Sequence, residues 1–471
     1  MPRRRLLLAI SATALASCSS VQAPNDDADL HDAVRTRTLH DAPTPSTSPD
    51  PAVADDVLAL LRAPIDDAAA VRIALLNNHR VRASYERLGI ARAELVQAGL
   101  LRNPVFDGDA RFLLDGGTEL ELGLAQPFVD LFYRPLRRRI AAHEFAAAQS
   151  KVTDDLVHLV FAVRRSGVHA RTANRLVELQ RDALHAAEAA HELAVALHAA
   201  GNLTDQTLAM ERVGETRARL DLAAAELSAK EATEPLQRLL GLWGAHTEWT
   251  LAGNLPDDPV QGVDLARIET RAIASSLELA AHRAQMQALA QQLGLRSWQQ
   301  WLPDGSLGVS AIREPGGEWG LGPRLALELP LFDSGATARE RAERQLRAGL
   351  HEQVQLAIEI RSAARTLRER TALLAERVRF LRDVHLPQRE TVVRTTLQTY
   401  NAMQIGVFDV LAQRRLQLAD AREYATTLRD AHLARLDLQQ LLAGSLPTSV
   451  ATAYAAAPLP TNTASPERGH E

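Results

Sequence analysis

Apolar residues recur at three- and four-residue spacing from about Ala70 to Leu101, and again from about Leu265 to Trp298. That is the period of a helix with one apolar face. Each stretch gives way to short segments of strict alternation. In Glu119-Leu120-Glu121-Leu122-Gly123-Leu124-Ala125-Gln126, leucines alternate with Glu, Gly and Ala. In the second half Leu325, Leu327 and Leu329 alternate with Arg324, Ala326 and Glu328, and Leu307, Val309 and Ala311 form the paired stretch. A period of two predicts a sheet with one oily and one wet face. Gly116-Gly117 and Gly316-Gly317 supply the turns. A long helix then begins after Pro127 or Pro330 and runs to about Ala200 or Met403. Its roughly 65 to 70 residues correspond to about 100 Å of helix. Pro387 is expected to kink or open the second long helix, because it removes a backbone donor and crowds the carbonyl four residues earlier. A last helix follows, about Thr204 to Leu240 in the first half.

The pattern is therefore one unit written twice. Pro127 in Gln126-Pro127-Phe128 and Pro330 in Leu329-Pro330-Leu331 lie 203 positions apart, as do Gly241 and Gly444. Asn103-Pro104 and Leu302-Pro303 are offset by 199, which places four additional residues in the second strand pair. A surface hairpin is where such an insertion is expected.

Composition narrows the possibilities. The chain has 471 residues, 53 Lys plus Arg against 58 Asp plus Glu, 46% hydrophobic residues but only 4% aromatic ones, and one Cys. This excludes a disulfide scaffold, a zinc-cysteine site and a basic nucleic-acid binder. The apolar content is largely Ala and Leu, which favours long helices over aromatic-anchored cores. Only the N-terminus carries an uninterrupted apolar run. Arg3-Arg4-Arg5 followed by Leu6 to Ala16 has the shape of a signal peptide, too short to span a bilayer. Its end, Leu15-Ala16-Ser17-Cys18, resembles the lipobox of bacterial lipoproteins, in which the Cys becomes the acylated (palmitate-bearing) first residue. Ser19, in place of an Asp, favours the outer membrane. Loss of the three arginines takes the formal net charge from -5 to -8. The expected organisation is a signal peptide over 1–17, the lipidated Cys and a Pro-rich extended tether over 18–66, repeat one over 67–250, repeat two over 251–446, and a flexible tail over 447–471.

Four alternating strands on an exported lipoprotein pose a physical problem. The smallest closed single-chain barrels have about eight strands, and open sheet edges do not lie in lipid. The chain must share a barrel with other copies, and three copies supply twelve strands.

With these residues in place, the chain resembles the TolC-type outer-membrane efflux channel family, in its lipoprotein branch. The local signatures are Gly99-Leu100-Leu101-Arg102-Asn103-Pro104, Leu329-Pro330-Leu331-Phe332-Asp333-Ser334-Gly335, and Tyr400 followed by Asp409-Val410-Leu411. The resemblance implies a mainly α fold with a small β part. Each repeat runs helix, strand, strand, long helix, helix, and a homotrimer forms a twelve-stranded β-barrel continuous with a periplasmic α-helical barrel. It implies an exit duct for an inner-membrane pump, joined through a periplasmic adaptor protein and gated at its helical tips, with outer-membrane lipid around it and no cofactor. The tips that meet the adaptor correspond to Gly201, Asn202, Leu203 and Thr204 in repeat one and to Ile405, Gly406, Val407 and Phe408 in repeat two. Asp409 corresponds to a gate aspartate, whose three copies would attract cations, and Tyr400 to a tyrosine that holds the gate shut. Ala412 stands where some members carry a second aspartate, and Met403 where a glycine is usual, so the second tip is expected to be built differently.

Simpler readings stand beside these. Asp409 also fits a helix cap, and Tyr400 a packing residue. Arg134, Arg137, Arg138 and Arg139 face lipid headgroups, the duct or solvent. Trp298, Trp301 and Trp319 fit a membrane interface or ordinary packing. His185, His191 and His198, six and seven apart, lack the spacing of a metal site. No nucleophile–His–acid set, phosphate loop or paired carboxylate points to an enzyme. The alternative to a duct is a long helical periplasmic scaffold without a pore.

Overall fold

The first amphipathic stretch is two helices rather than one, and the break recurs in the second repeat. In the computed structural model, which describes residues 27–41, 51–114, 117–259, 265–301, 304–329, 331–332 and 335–449, α1 (Asp27–Thr38) and α2 (Pro51–Leu61) precede the repeats. Repeat one contains α3 (Asp67–Asn77), α4 (His79–Ala98), β1 (Val105–Phe112), β2 (Thr118–Pro127), α5 (Val129–Ala199) and α6 (Asp205–Leu240). Repeat two contains α7 (Ile268–Ser275), α8 (Leu277–Gln299), β3 (Gly305–Arg313), β4 (Trp319–Leu327), α9 (Ala336–Phe380), a π-helical turn at Leu381–His385, α10 (Leu386–Asn401) and α11 (Val407–Leu442). The signal sequence, Cys18, Gly116, Pro303, Pro330, Asp333, Ser334 and the tail beyond 449 lie outside the described residues.

Asn78 and Ser276, both extended in ψ, end α3 and α7. In repeat one the break is stitched to the end of α6: Asn77 Nδ2 donates to the carbonyls of Leu240 and Gly241 (3.0 and 2.9 Å), and Asn78 Nδ2 donates to that of Leu239 (2.8 Å). In repeat two the Leu277 N–H donates to the Gly444 carbonyl (2.8 Å), and the guanidinium of Arg37 bridges the carbonyls of Ser275 and Ala443 (2.9 and 2.7 Å). The two glycines that mark the repeat are explained by this junction. Gly241 and Gly444 have φ of +69° and +100°, and a Cβ would lie 2.8 Å from the Asn77 carbonyl oxygen or 2.2 Å from that of Ser275.

Arg37 also corrects the expected extended tether. Residues 27–38 form a helix whose Leu30 and Val34, four apart, are fully buried, and residues 51–61 form another. Burial of that short apolar stripe outweighs a polar composition.

The insertion between repeats is not in the hairpin. Residues 113–117 and 314–318 connect the two strand pairs, five residues each. The additional length falls mainly between β4 and α9, residues 328–335, where β2 and α5 are separated only by Phe128. Pro387 acts as expected. Just before it the helix opens into a π turn, in which the Leu386 N–H reaches the Leu381 carbonyl five residues back. The opened turn is tied to α11 through Asp420, which accepts from Arg389 Nε (2.5 Å) and lies 3.2 Å from His385 Nε2.

Contacts divide the chain into two units. One comprises Tyr85–Val152 and Leu279–Gln355 and holds the strands. The other comprises Asp29–Ser84, Thr153–Glu278 and the chain from Leu356. The core of the second unit is built on one face of α5, with Val157, Phe161 and Val168 against Leu277, Leu436 and Ala443. Alanines such as Ala170, Ala190, Ala363 and Ala434 are completely buried, so the Ala-rich composition serves close helix packing.

Candidate functional site

The two helical tips share one helix stop and differ in the residue that occupies it and in the cap that follows. Tip one closes α5 with N–H donation from Gly201 to the His198 carbonyl (2.9 Å) and from Asn202 to that of Leu197 (2.9 Å). Tip two repeats this 202 residues later, from Met403 to Tyr400 (2.8 Å) and from Gln404 to Thr399 (3.1 Å). This is the left-handed helix stop that ordinarily selects glycine. Gly201 has φ +75°, and Met403 adopts +58° with its side chain 94% exposed. A residue with a Cβ thus occupies the left-handed position, at some cost in strain.

The helices that leave the tips are capped from opposite ends. Thr204 Oγ1 accepts from the Thr207 N–H (3.2 Å), three residues ahead. Gly406 has no side chain to do so, and Asp409 Oδ2 reaches back to accept from the Gly406 N–H (3.1 Å). The cap reading of Asp409 is therefore seen directly, on an exposed carboxylate. The phenol of Tyr400, 38% exposed, makes no hydrogen bond among the described residues. Its counterpart 202 residues earlier is His198, whose Nε2 lies 2.5 Å from Asp205 Oδ1. Arg415 on α11 pairs with Glu211 on α6 (2.6 Å), joining the helices that follow the two tips. Sequence reasoning missed that pair and the Asp420 cluster, because charges scattered on long polar faces carry no local signal of their partners.

In the other unit the strands form a sheet in the order β1-β2-β3-β4, antiparallel throughout. The register puts Phe106, Leu124 and Val309 in one row, Leu122, Ala311 and Leu321 in the next, and Leu307 with Leu325 beyond, all on one face. Phe106, Leu124, Leu307, Val309, Leu321 and Leu325 are all exposed. The opposite face carries Asp107, Asp109, Glu119, Glu121, Ser310 and Arg324. There the Arg324 guanidinium on edge strand β4 reaches Asp107 on edge strand β1, passing so close over Gly123 that a Cβ would lie 2.6 Å from the carboxylate. The oily and wet faces read from the alternation are present, and both sheet edges are open. Trp298, Trp301 and Trp319 are exposed beside the strands.

The base of the sheet is organised by a residue the sequence reading did not single out. Asp130, in the first turn of α5 with its side chain 2% exposed, accepts from Arg137 at both oxygens (2.5 and 2.9 Å) and from the Arg102 N–H (3.1 Å). Burial alone would raise its carboxyl; the Arg137 and Arg102 hydrogen bonds outweigh that and hold it below the ordinary carboxylate range. Arg134 donates to the Gly99 carbonyl (2.6 Å). Arg134 and Arg137 thus anchor the Gly99-to-Pro104 connection, and only Arg138 and Arg139 of the basic cluster stay exposed. An acid after Pro127-Phe128 at a helix start was the available signal. No group of three or more metal-ligating side chains occurs among the described residues. No helix among them is long and apolar enough to cross a membrane.

No protein-family model and no curated protein sequence matches the chain. Solved structures do match. The chain is similar to the channel-forming protein CusC (TM-score 0.64, 16% identity, covering 83% of this chain and 92% of that one). It is similar to the open state of the Neisseria gonorrhoeae MtrE outer-membrane channel (0.65, 16%, 80% and 88%) and to the Campylobacter jejuni CmeC outer-membrane channel (0.62, 13%, 85% and 88%). These are channels rather than enzymes. At such identities the likeness establishes architecture: this chain has the fold of the TolC-type outer-membrane channels.

Proposed function

We propose that the protein is the outer-membrane exit duct of a tripartite efflux system, conducting passively what an inner-membrane pump delivers through a periplasmic adaptor. The observation that carries this is the four-stranded sheet, apolar on one face, charged on the other and open at both edges. A single sheet of this kind is incomplete in water and in lipid alike. Three copies joined edge to edge form a twelve-stranded barrel with the leucine face toward lipid and Asp107, Asp109, Glu119 and Glu121 toward water. In this reading the acyl chain on Cys18 anchors the mature protein, Trp298, Trp301 and Trp319 mark the membrane interface, and the tips at Gly201–Thr204 and Ile405–Phe408 contact the adaptor. Asp409 keeps its capping bond and also presents one carboxylate per protomer to the gate, where three like charges near an axis favour cations. Tyr400 has a free phenol to spend across the closed gate. Tip opening is then a separation of helices when the adaptor binds, with no chemical step.

The test is planar-bilayer conductance of the purified protein together with its mass in detergent. A trimer giving small, gated, cation-selective currents is expected. A monomer that gives no current, even after substitutions that loosen the tips, would make a pore-free scaffold the better account.

A further inference from the structure

Two arginines that line one cavity of the second unit, Arg164 and Arg435, carry no ion pair among the described residues. Arg164, on α5, lies 5.4 Å over the Phe161 ring and donates from Nη2 to the Thr38 carbonyl (3.4 Å) and to His40 Nε2 (3.1 Å). Arg435, on α11, donates from Nη1 to the Pro259 carbonyl (3.3 Å), and its Nε is buried with no hydrogen-bond partner. Both line one cavity of about 440 Å³, together with His432. Two acids and a third arginine, Arg171, line the same cavity. Asp66 Oδ1 accepts from the Ala69 N–H (2.7 Å) as the cap of α3, and Asp67 pairs with Arg171 (2.7 Å). His432 donates from Nε2 to the Pro256 carbonyl (2.7 Å).

Both guanidiniums are half-buried, and one partly withdrawn from water favours added counter-charge. Burial lowers the Arg164 guanidinium from its ordinary value, Asp67 offsets part of this, and Arg435 adds to it. Burial likewise lowers His432, with Arg435 contributing.

We propose that the cavity between Arg164 and Arg435 is a binding site for a small oxyanion, a phosphate or a compact carboxylate. Arg435 Nε is a buried donor without a partner among the described residues, Arg164 spends only its Nη2 on Thr38 and His40 in the hydrogen bonds named above, and guanidinium N–H groups match the oxygens of such an anion. An anion there would neutralise both arginines and join α5 to α11. The site is independent of conduction, since it lies wholly within the helical unit and needs no pore.

The experiment uses the full-length protein in detergent, with sodium phosphate or sodium citrate compared against sodium chloride at matched ionic strength, read by titration calorimetry and by the thermal unfolding midpoint. Saturable binding of one phosphate or citrate per protomer is expected, with a raised midpoint. Arg435→Gln should weaken it roughly tenfold, the loss of a charge-assisted pair of bonds. Arg164→Lys, which keeps the charge and removes the fork, should weaken it by a similar factor if Arg435→Gln does not fold. Arg138→Gln, at an exposed position in the other unit, should leave it unchanged. Equal midpoints in all three salts with no calorimetric signal would overturn the proposal. So would an affinity that survives substitution of either cavity arginine, which would place the anion elsewhere.

Discussion

Glu278 sits at the start of α8, directly after the break at Ser276, and its environment makes a measurable claim. Burial is the largest influence on its carboxyl, and the nearby charges of Asp154 and Glu359 add to it. A hydrogen bond from the Leu446 backbone N–H pulls the other way, and the net effect pushes the pKa from an ordinary 4.5 up to about 7. The folded state therefore holds this proton more tightly than the unfolded chain. The resulting stabilisation is fully present below pH 4.5 and is lost as pH rises through about 7. That interval is worth on the order of 3 kcal/mol, an upper figure for a group that keeps some contact with water. Glu278→Gln replaces the protonated acid with a neutral isostere. At pH 4.5 the variant and the parent should differ by less than about 0.5 kcal/mol, whereas at pH 8.5 the variant should be the more stable by about 2 to 3 kcal/mol, several degrees in midpoint for a unit of this size. The assay is the thermal midpoint of both proteins in detergent from pH 4.5 to 8.5. A difference that stays constant across that range would refute the reasoning, because it would mean that the carboxylate ionises as readily in the fold as outside it.

The tips and the sheet give further tests. Asp409→Asn keeps an acceptor for the Gly406 N–H but removes the charge, so the duct should lose cation preference in bilayer reversal-potential measurements while its melting is unchanged; Asp409→Ala should in addition cost about 1 kcal/mol of cap, seen as faster proteolysis near the tip. Asp130→Ala strands the partly buried Arg137 guanidinium and should destabilise the strand-bearing unit by about 3 kcal/mol, read by denaturant midpoint. Leu321→Lys places a charge on the apolar face and should block outer-membrane insertion, with a cost of about 2 to 4 kcal/mol at mid-bilayer; Ser310→Lys, on the charged face, should insert normally in the same fractionation assay.

What the sequence by itself determined is whatever depends on periodicity and on local backbone chemistry. The two faces of the sheet follow from alternation, because side chains on a strand point to opposite sides whatever the strand packs against. The π turn before Pro387 follows from a missing N–H, and the doubled architecture from landmarks repeated at one offset. Tertiary structure decided the rest. Met403 accepts a left-handed conformation because the return of the chain into α11 requires one there, a demand no glycine count reveals. The polar segment around Leu30 and Val34 is helical because those two side chains are buried and Arg37 is held by the carbonyls of Ser275 and Ala443. Glu211 and Asp420 find their arginines on other helices, Glu211 204 residues away, and Arg164 and Arg435 meet at one cavity only once α5 and α11 have packed. Such placements rest on the burial of charge against specific partners, an energy that exists only once the helices have packed.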